Sequence, residues 1–343
     1  MNDMQTFKEF QETLNQLVEA DEFSGAVLVA KEQRILFQQA YGMAHQSYHV
    51  PNQIDTKFNL GSMNKMFTAV AVAQLAEQGK LAFNDPVSKH LLDYPREIAE
   101  RVTIHHLLTH TSGMGSYWNE RFFDVWADLR TVDDYLPLFR DDPLSFEPGE
   151  KFQYSNAGFI VLGAIIERVS GQDYFTYVRE HIYEPAGMLH TDAYEMDRSI
   201  PNLAIGYTYL NRNGELESGP RRNNLFLNVV KGGPAGGGFS TVEDLFKFGL
   251  SLRSHRLLSP ESTATLLAGR VERPDKPGIT YAYGWQNVTI NGHRIVGHSG
   301  GAPGISAQFD LYLDLGYTAV VLANYDALIA PRIASILREQ LVP

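Results

Sequence analysis

A serine and a lysine stand one helical turn apart at Ser62-Met63-Asn64-Lys65. A serine hydroxyl is a weak nucleophile at neutral pH and needs a neighbouring base. Positions i and i+3 share one face of a helix, so the amine of Lys65 can reach the oxygen of Ser62. A serine in a first helical turn also lies among unpaired backbone N–H groups, which favour developing negative charge. The spacing predicts an activated serine, with a solvated helix face as the alternative, because so short a pattern also arises by chance.

Two further segments place polar side chains or glycines where the chain must turn. Tyr154-Ser155-Asn156 lies between a Pro-Gly turn and a helical run that begins at Ala157. This position favours a tyrosine and an asparagine that face a cleft, with a core tyrosine and a plain N-cap asparagine as the alternatives. The segment 297–304 has four glycines in eight residues after a strand. It could bring a backbone N–H group to an oxyanion, or it could form a mobile turn.

Two other motifs are interpreted as structural. Three histidines lie within six residues, at His105, His106 and His110. Histidine is a common zinc ligand, but no glutamate stands between His106 and His110 to act as the base of a metalloprotease. Buried structural histidines are therefore preferred, and no metal site is predicted. The glycine-rich run at 232–238 lacks the Lys-Ser/Thr ending of a phosphate loop, so we interpret it as a return of the chain to the sheet.

Composition narrows the class of protein. The 343 residues carry a formal net charge of −11, which argues against a nucleic-acid or anionic-membrane partner, because both attract clustered Lys and Arg. Cysteine is absent, so disulfides, thiolate catalysis and Cys-ligated zinc are excluded. The first twenty residues contain four acidic side chains and no secretion signal, and no window is apolar enough for a membrane span. The expected location is cytoplasmic, with a small-molecule partner and an unknown oligomeric state.

Strand signals at both ends of the chain enclose a helical and loop-rich middle. The helix that begins at Ser62 follows the first two strands. An Asn-Gly hairpin turn is expected at 291–292. The expected strands are 25–30, 34–38, 281–285, 286–290, 294–296, 307–313 and 318–322, and the last helix is 328–341. The prediction is an α/β sheet domain built from 1–79 and 231–343, a helical insert at 80–230, and an active site at their interface.

In this order, Ser62-x-x-Lys65, Tyr154-x-Asn156 and His298-Ser299-Gly300 resemble the three motifs of the serine β-lactamase and penicillin-binding protein superfamily. The Tyr-x-Asn motif points to its class C β-lactamase-like branch, with family VIII esterases and D-amino-acid peptidases. Other stretches that match this branch are 107–113, 146–149, 234–241 and 297–301. The resemblance extends from Gly25 to the last residue. It implies a β-lactamase-like fold, an antiparallel sheet flanked by helices plus an all-helical insert domain.

The resemblance also implies a role for each matching residue. Ser62 would become acylated, while Lys65 and Tyr154 would share the proton transfers in a division that stays open. The backbone N–H groups of Ser62 and Gly301 would form the oxyanion hole. The residues implied to bind or orient the substrate are Asn156, His298, Ser299 and Gly300. No metal or organic cofactor is implied.

One position departs from the usual pattern, because His298 stands where β-lactamases and penicillin-binding proteins usually carry lysine. That lysine helps to hold an anionic substrate group, whereas histidine is largely neutral at pH 7. The predicted function is therefore a carboxylesterase, ahead of a D-amino-acid peptidase or amidase and of a weak β-lactamase. A catalytically impaired ligand-binding or sensor protein is the non-enzyme alternative. The aromatic stretch from Tyr117 to Trp126 is expected mainly in the core, with one or two rings in an acyl pocket.

Overall fold

The computed structural model describes residues 3–211 and 213–343 of the chain. Within these residues the central element is an antiparallel sheet of eight strands, accompanied by three two-stranded pairs. The strands are β1 (Gly25–Lys31), β2 (Arg34–Tyr41), β3 (Met43–His45), β4 (Val50–Pro51), β5 (Phe58–Asn59), β6 (Tyr207–Thr208), β7 (Arg222–Asn223), β8 (Phe239–Ser240), β9 (Val271–Glu272), β10 (Ile279–Tyr281), β11 (Gln286–Ile290), β12 (His293–Ala302), β13 (Ile305–Tyr312) and β14 (Tyr317–Ala323).

The large sheet is built from both ends of the chain. Its strand order is β2-β1-β14-β13-β12-β11-β10-β9, and neighbouring strands run antiparallel. β1 pairs with β14 in a register that places Gly25 opposite Ala323. The first and last strands of the chain are therefore neighbours, which confirms the prediction of an antiparallel sheet to which both termini contribute.

Helices cover both faces of the sheet. They are α1 (Asp3–Glu19), α2 (Asn64–Glu77), α3 (Arg96–Ala99), α4 (Ile104–Leu108), α5 (Glu120–Val125), α6 (Val132–Tyr135), α7 (Asn156–Ser170), α8 (Tyr174–Val178), α9 (Glu184–Ala186), α10 (Val242–Arg253), α11 (Pro260–Leu267) and α12 (Ile329–Leu341). Short 3-10 turns lie at Gly61–Met63, Val87–Lys89 and Leu136–Leu138, and one π turn lies at Arg179–Tyr183. Across the described ranges, we find no helix with the length and apolar character that a membrane crossing requires.

Two hydrophobic cores lie on opposite faces of the sheet. Side chains alternate along β1, so Val27 and Val29 face one core while Ala26 and Leu28 face the other. The first core is closed by α1 and α12, and the second by α2, α10 and the helices of the insert. Burial on both faces explains why β1 appears in the sequence as an unbroken apolar run.

The insert is mainly helical rather than wholly helical. β6 and β7 form an antiparallel pair inside it, with Tyr207 opposite Asn223, which corrects the expectation of an all-helical insert. Each of these strands has two residues, too few to show the alternation by which a strand is recognised in a sequence. The boundaries between the sheet domain and the insert stay a prediction.

Two strands next to the site differ from the sequence prediction. The strand expected at 281–285 ends at Tyr281, because the N–H of Ala282 closes a turn onto the carbonyl of Trp285 and Gly284 adopts a φ of 73°. β12 instead continues through its glycines to Ala302. The glycine-rich segment is therefore a paired strand and not a mobile turn.

Candidate active site

Ser62 lies in a short 3-10 turn, Gly61–Met63, that leads directly into α2. Gly61 has a φ of 49°, in the left-handed region that favours glycine. The turn has no room for a side chain there, because a Cβ on Gly61 would lie 2.8 Å from the backbone nitrogen of Gly301. The helix that follows is buried from Asn64 to Leu75. Close packing therefore fixes the direction of the nucleophile.

The Lys65 side chain is fully buried, and its amine is surrounded by oxygen atoms. Nζ lies 2.7 Å from Oδ1 of Asn156, 2.5 Å from the carbonyl oxygen of Ala235 and 3.4 Å from Oγ of Ser62. Burial disfavours the charged form and lowers the pKa of Lys65 well below its usual value. A neutral amine has two N–H groups and one lone pair. The first two oxygens accept those N–H groups, which leaves the lone pair for the hydroxyl of Ser62.

The glycine-rich segment 232–238 positions the start of α2. Three consecutive carbonyl groups of this segment accept hydrogen bonds from side chains on the helix. The pairs are Asn64 with Gly233, Thr68 with Pro234, and Lys65 with Ala235. A Cβ at Gly236 would lie 2.9 Å from the carbonyl oxygen of Gly61, so glycine permits this approach. The sequence interpretation gave this segment no catalytic contact, although its glycine content and the family resemblance of 234–241 were both available as signals.

Asn156 is free to hold Lys65 because the preceding serine caps the helix. Oγ of Ser155 accepts from the N–H of Gly158 at 3.1 Å and donates to the carbonyl of Gly115 at 2.7 Å. Ser155 is thus the N-cap of α7, and Asn156 is its first helical residue. The alternative of a plain N-cap asparagine is wrong. The amide oxygen of Asn156 instead accepts a hydrogen bond from the amine of Lys65.

Tyr154 lies over Lys65 and hydrogen-bonds to the side chain of Ser62. The lysine Nζ is 4.8 Å from the centroid of the tyrosine ring. Burial raises the pKa of Tyr154 above its usual value and outweighs the opposing effects of the Ser62 hydrogen bond and the charge of Arg273. The phenol therefore keeps its proton. Tyr154 can donate that proton to an oxygen at the reaction centre.

The side chain of His298 is buried beside Tyr281 rather than exposed in the cleft. Nδ1 lies 2.6 Å from the carbonyl oxygen of Ser299, which can only accept, so Nδ1 carries the hydrogen of the neutral ring. Nε2 then accepts from the hydroxyl of Tyr281 at 2.9 Å. Burial lowers the pKa of His298 to about 3. Both ring nitrogens are occupied, and the predicted contact of His298 with substrate stays a prediction.

A second buried histidine, His110, packs behind the tyrosine. Its ring centroid lies 4.2 Å from that of Tyr154 and 4.6 Å from that of Tyr281. Nδ1 accepts from the backbone N–H of Ser155 at 3.1 Å, and burial lowers the pKa of His110 well below its usual value. The ring of His110 is fully buried, as the structural interpretation expects, whereas His105 and His106 are only half-buried. Over the described part of the chain, no three His, Asp or Glu side chains are grouped to hold a metal.

Ser62 opens into a narrow cleft of ≈ 90 Å³. Gly301 lines this cleft, while Ser299 is half-buried and Gly300 is buried against the nucleophile turn. A Cβ on Gly300 would lie 3.2 Å from the backbone nitrogen of Ser62 and 1.8 Å from the carbonyl oxygen of Leu60. β12 therefore passes directly beside the turn. Ser62 and Gly301 therefore line the same cleft, and their roles in an oxyanion hole stay a prediction.

Comparison with known proteins agrees with this geometry. The chain matches the Beta-lactamase family over residues 10–341. Penicillin-binding protein 4* of Bacillus subtilis (strain 168) is 33% identical over 332 residues, which cover 92% of this chain and 71% of that protein. The crystal structure of a penicillin-binding protein from Bacillus halodurans has a TM-score of 0.86 at 35% identity and covers 95% of this chain and 98% of that chain.

Two enzymes of lower identity share the fold. EstCE1, a hydrolase with promiscuous acyltransferase activity, has a TM-score of 0.82 at 22% identity and covers 99% of both chains. D-amino acid amidase from Ochrobactrum anthropi SV3 has a TM-score of 0.82 at 20% identity and covers 98% of this chain and 97% of that chain. At these identities the likeness concerns the fold alone. With the family match across almost the whole sequence, the chain belongs to the β-lactamase and penicillin-binding protein superfamily of serine hydrolases.

Proposed function

We propose that the chain is a carboxylesterase that hydrolyses small esters through an acyl-enzyme at Ser62. The observation that carries the proposal is the buried amine of Lys65, whose pKa is lowered and whose Nζ lies 3.4 Å from Oγ of Ser62. An amine whose neutral form is favoured in this way can accept the hydroxyl proton as the serine attacks. The separation is long for a hydrogen bond, as is common before substrate binds.

In the acylation step, Oγ of Ser62 attacks the ester carbonyl carbon and its proton passes to Lys65. The carbonyl oxygen becomes an oxyanion, which the backbone N–H groups of Ser62 and Gly301 stabilise. The bond from the carbonyl carbon to the alcohol oxygen then breaks. Tyr154 gives its proton to the departing alcohol and recovers one from Lys65. The products of this step are the acyl-serine and a neutral alcohol.

Deacylation repeats the attack on the carbonyl carbon, with water in place of the serine hydroxyl and Lys65 again as the base. Water attacks the acyl carbon and gives one proton to the neutral Lys65. The bond between the acyl carbon and Oγ of Ser62 breaks, and Oγ takes the proton back from Lys65. The carboxylic acid leaves, and the serine and the neutral amine are restored.

The preference for esters rests on His298. The pKa of His298 is lowered to about 3, and its two ring nitrogens bond to Tyr281 and the carbonyl of Ser299. The third motif therefore supplies no side-chain charge to a substrate carboxylate at neutral pH. This arrangement does not weaken the binding of an uncharged ester, whereas an anionic substrate needs a cation from another residue.

A D-amino-acid peptidase or amidase is the second candidate, and Arg273 is the observation that favours it. Its guanidinium carbon lies 5.9 Å from the ring centroid of Tyr154, so it is a cation close to the site. It already forms two contacts with Asp275, of 3.2 Å and 2.5 Å. A substrate carboxylate would have to displace Asp275, which is why this function ranks second.

Three chromogenic substrates on one protein preparation test the proposal. We expect kcat/KM to be highest for p-nitrophenyl butyrate, lower for a D-alanyl anilide and lowest for a chromogenic cephalosporin. Ser62→Ala should lose all three activities while its circular dichroism stays unchanged. A fluorophosphonate probe should label the wild type at one site and leave Ser62→Ala unlabelled. A cephalosporin or anilide preferred by a wide margin refutes the esterase, and a folded wild type with neither labelling nor turnover favours the ligand-binding alternative.

A further inference from the structure

An apolar groove adjoins the catalytic cleft at the edge of the insert. Its volume is ≈ 640 Å³, compared with ≈ 90 Å³ for the cleft around Ser62. One wall is formed by the segment around α5 and the other by the loops on either side of β7. The main apolar side chains of the groove are Trp118, Phe122, Phe123, Trp126, Phe226 and Leu227.

The groove is exposed and carries no formal charge on its described lining. Trp118 is 44% exposed, Phe123 is 53% exposed and Phe226 is 70% exposed. A cluster of exposed aromatic rings marks a binding surface more often than a surface that binds nothing. The occupant that fits these exposed rings is an apolar group.

The groove and the catalytic cleft are continuous. Trp118 lines both of them. On the opposite side, Leu227 of the groove precedes Asn228 of the cleft, and Pro303 of the groove follows Ala302 of the cleft. Nδ2 of Asn228 donates to the carbonyl of Pro303 at 3.3 Å, which holds these two segments together. A molecule bound at the nucleophile can therefore extend directly into the groove.

The position of the proton donor decides which part of a substrate enters the groove. Tyr154 packs with Tyr281 and His298, and none of these three residues lines the groove. Gly301 and Ala302 line the part of the cleft that leads toward it. The alcohol departs past the hydroxyl of Tyr154, which protonates it. The acyl group then extends the other way, toward the groove.

We infer that this groove is the acyl-chain subsite and that the enzyme selects esters of medium-length apolar carboxylic acids. The inference rests on the proposed hydrolysis at Ser62 and adds the part of the substrate that is selected. Full transfer of one methylene from water increases kcat/KM about fourfold. A groove that stays open on one side gives about half of that free energy, so the four methylenes between butyrate and octanoate should raise kcat/KM about 15-fold.

The test compares p-nitrophenyl acetate, butyrate, hexanoate and octanoate below their micelle concentrations. The double variant Phe123→Ser/Phe226→Ser removes one ring from each wall, and neither ring lines the cleft. Leu189→Ser is the matched control, because Leu189 is 75% exposed and lies outside the groove. The wild type and the control should show the full rise from butyrate to octanoate. The double variant should show a rise of about threefold or less, with acetate turnover unchanged.

Two outcomes contradict the acyl-chain subsite and leave the proposed hydrolysis at Ser62 unaffected. They are a flat acyl-chain series in the wild type and a rise from butyrate to octanoate that survives in the double variant. A binding measurement tests the subsite even if turnover is lost. In Ser62→Ala, the fluorescence of Trp118 and Trp126 should report methyl octanoate binding about 15-fold tighter than methyl butyrate. Equal affinities overturn the subsite even if no ester is hydrolysed.

Discussion

Replacing Asn156 with aspartate tests whether Lys65 works as a neutral base. The amide oxygen of Asn156 lies 2.7 Å from Nζ of Lys65, and a carboxylate of nearly the same size would take its place. At an effective dielectric constant near 20, two unit charges at this distance attract by about 6 kcal/mol, equivalent to at most about 4 pKa units. Water entry and partial protonation of the new carboxyl reduce the effect. The pKa of Lys65 should therefore rise by about 2 to 4 units.

The direction in which kcat/KM changes depends on which protonation state of Lys65 acts as the base. The neutral amine is present above its pKa, so kcat/KM rises with pH through the pKa of Lys65. Because burial lowers the pKa of Lys65, kcat/KM of the wild type should rise at a pH well below the usual pKa of lysine. In Asn156→Asp the rise moves to higher pH, and each unit by which it lies above the assay pH lowers the rate about tenfold. Because burial raises the pKa of Tyr154, its ionisation should not cut activity on the alkaline side near neutral pH.

The assay is the pH profile of kcat/KM for a neutral ester, with Asn59→Asp as the matched control. Asn59 lines the same cleft, but its side-chain oxygen accepts from the N–H of Gly61 at 2.9 Å rather than from Lys65. The control adds the same charge without a contact to Lys65. Its pH profile should therefore move by less than about one pH unit. A profile of Asn156→Asp that coincides with the wild type refutes the neutral-amine mechanism. Equal shifts in both variants refute the assigned contact.

Two further substitutions test the structure around the reacting groups. Asp310→Asn removes the carboxylate that holds Arg338 through two 2.8 Å contacts, so the free energy of unfolding from urea titration should fall by about 3 kcal/mol, and an unchanged value contradicts the ion pair. Gly163→Ala places a Cβ 2.2 Å from Cγ of Pro234, next to the carbonyl that holds the catalytic amine, so kcat should fall about tenfold. Gly158→Ala in the same helix meets its nearest atom at 3.4 Å and should stay within about twofold, and equal losses in the two variants refute the Pro234 explanation.

Much of the fold could be predicted because each signal is local. The apolar run of β1 and the Asn-Gly turn before β12 determine their structures within a few residues. The pair Ser62 and Lys65 is equally local, since three positions on one helix bring the two side chains together wherever that helix lies. The short pair β6 and β7 could not be predicted, because two residues carry no period and tertiary contacts alone align them.

The contacts that define the chemistry come from distant parts of the chain. The carbonyl of Ala235 reaches Lys65 across 170 positions, and the glycines around it were visible only as a connection. His110 was recognised as a structural residue, but its packing against Tyr154 depends on how two loops meet. The apolar groove likewise joins aromatic rings in and around α5 to a loop after β7. No spacing in the sequence relates these segments.

The sequence by itself determined the order and type of the reacting groups: a serine with a lysine one turn later, a tyrosine with an asparagine, and a histidine on a late strand. The tertiary structure alone decided their protonation. The pKa of Lys65 falls and that of Tyr154 rises because the packing of distant segments removes water from them. Residue spacing is a local property of the chain. Protonation depends on the solvent and charges around a group, and the packing of distant segments determines both.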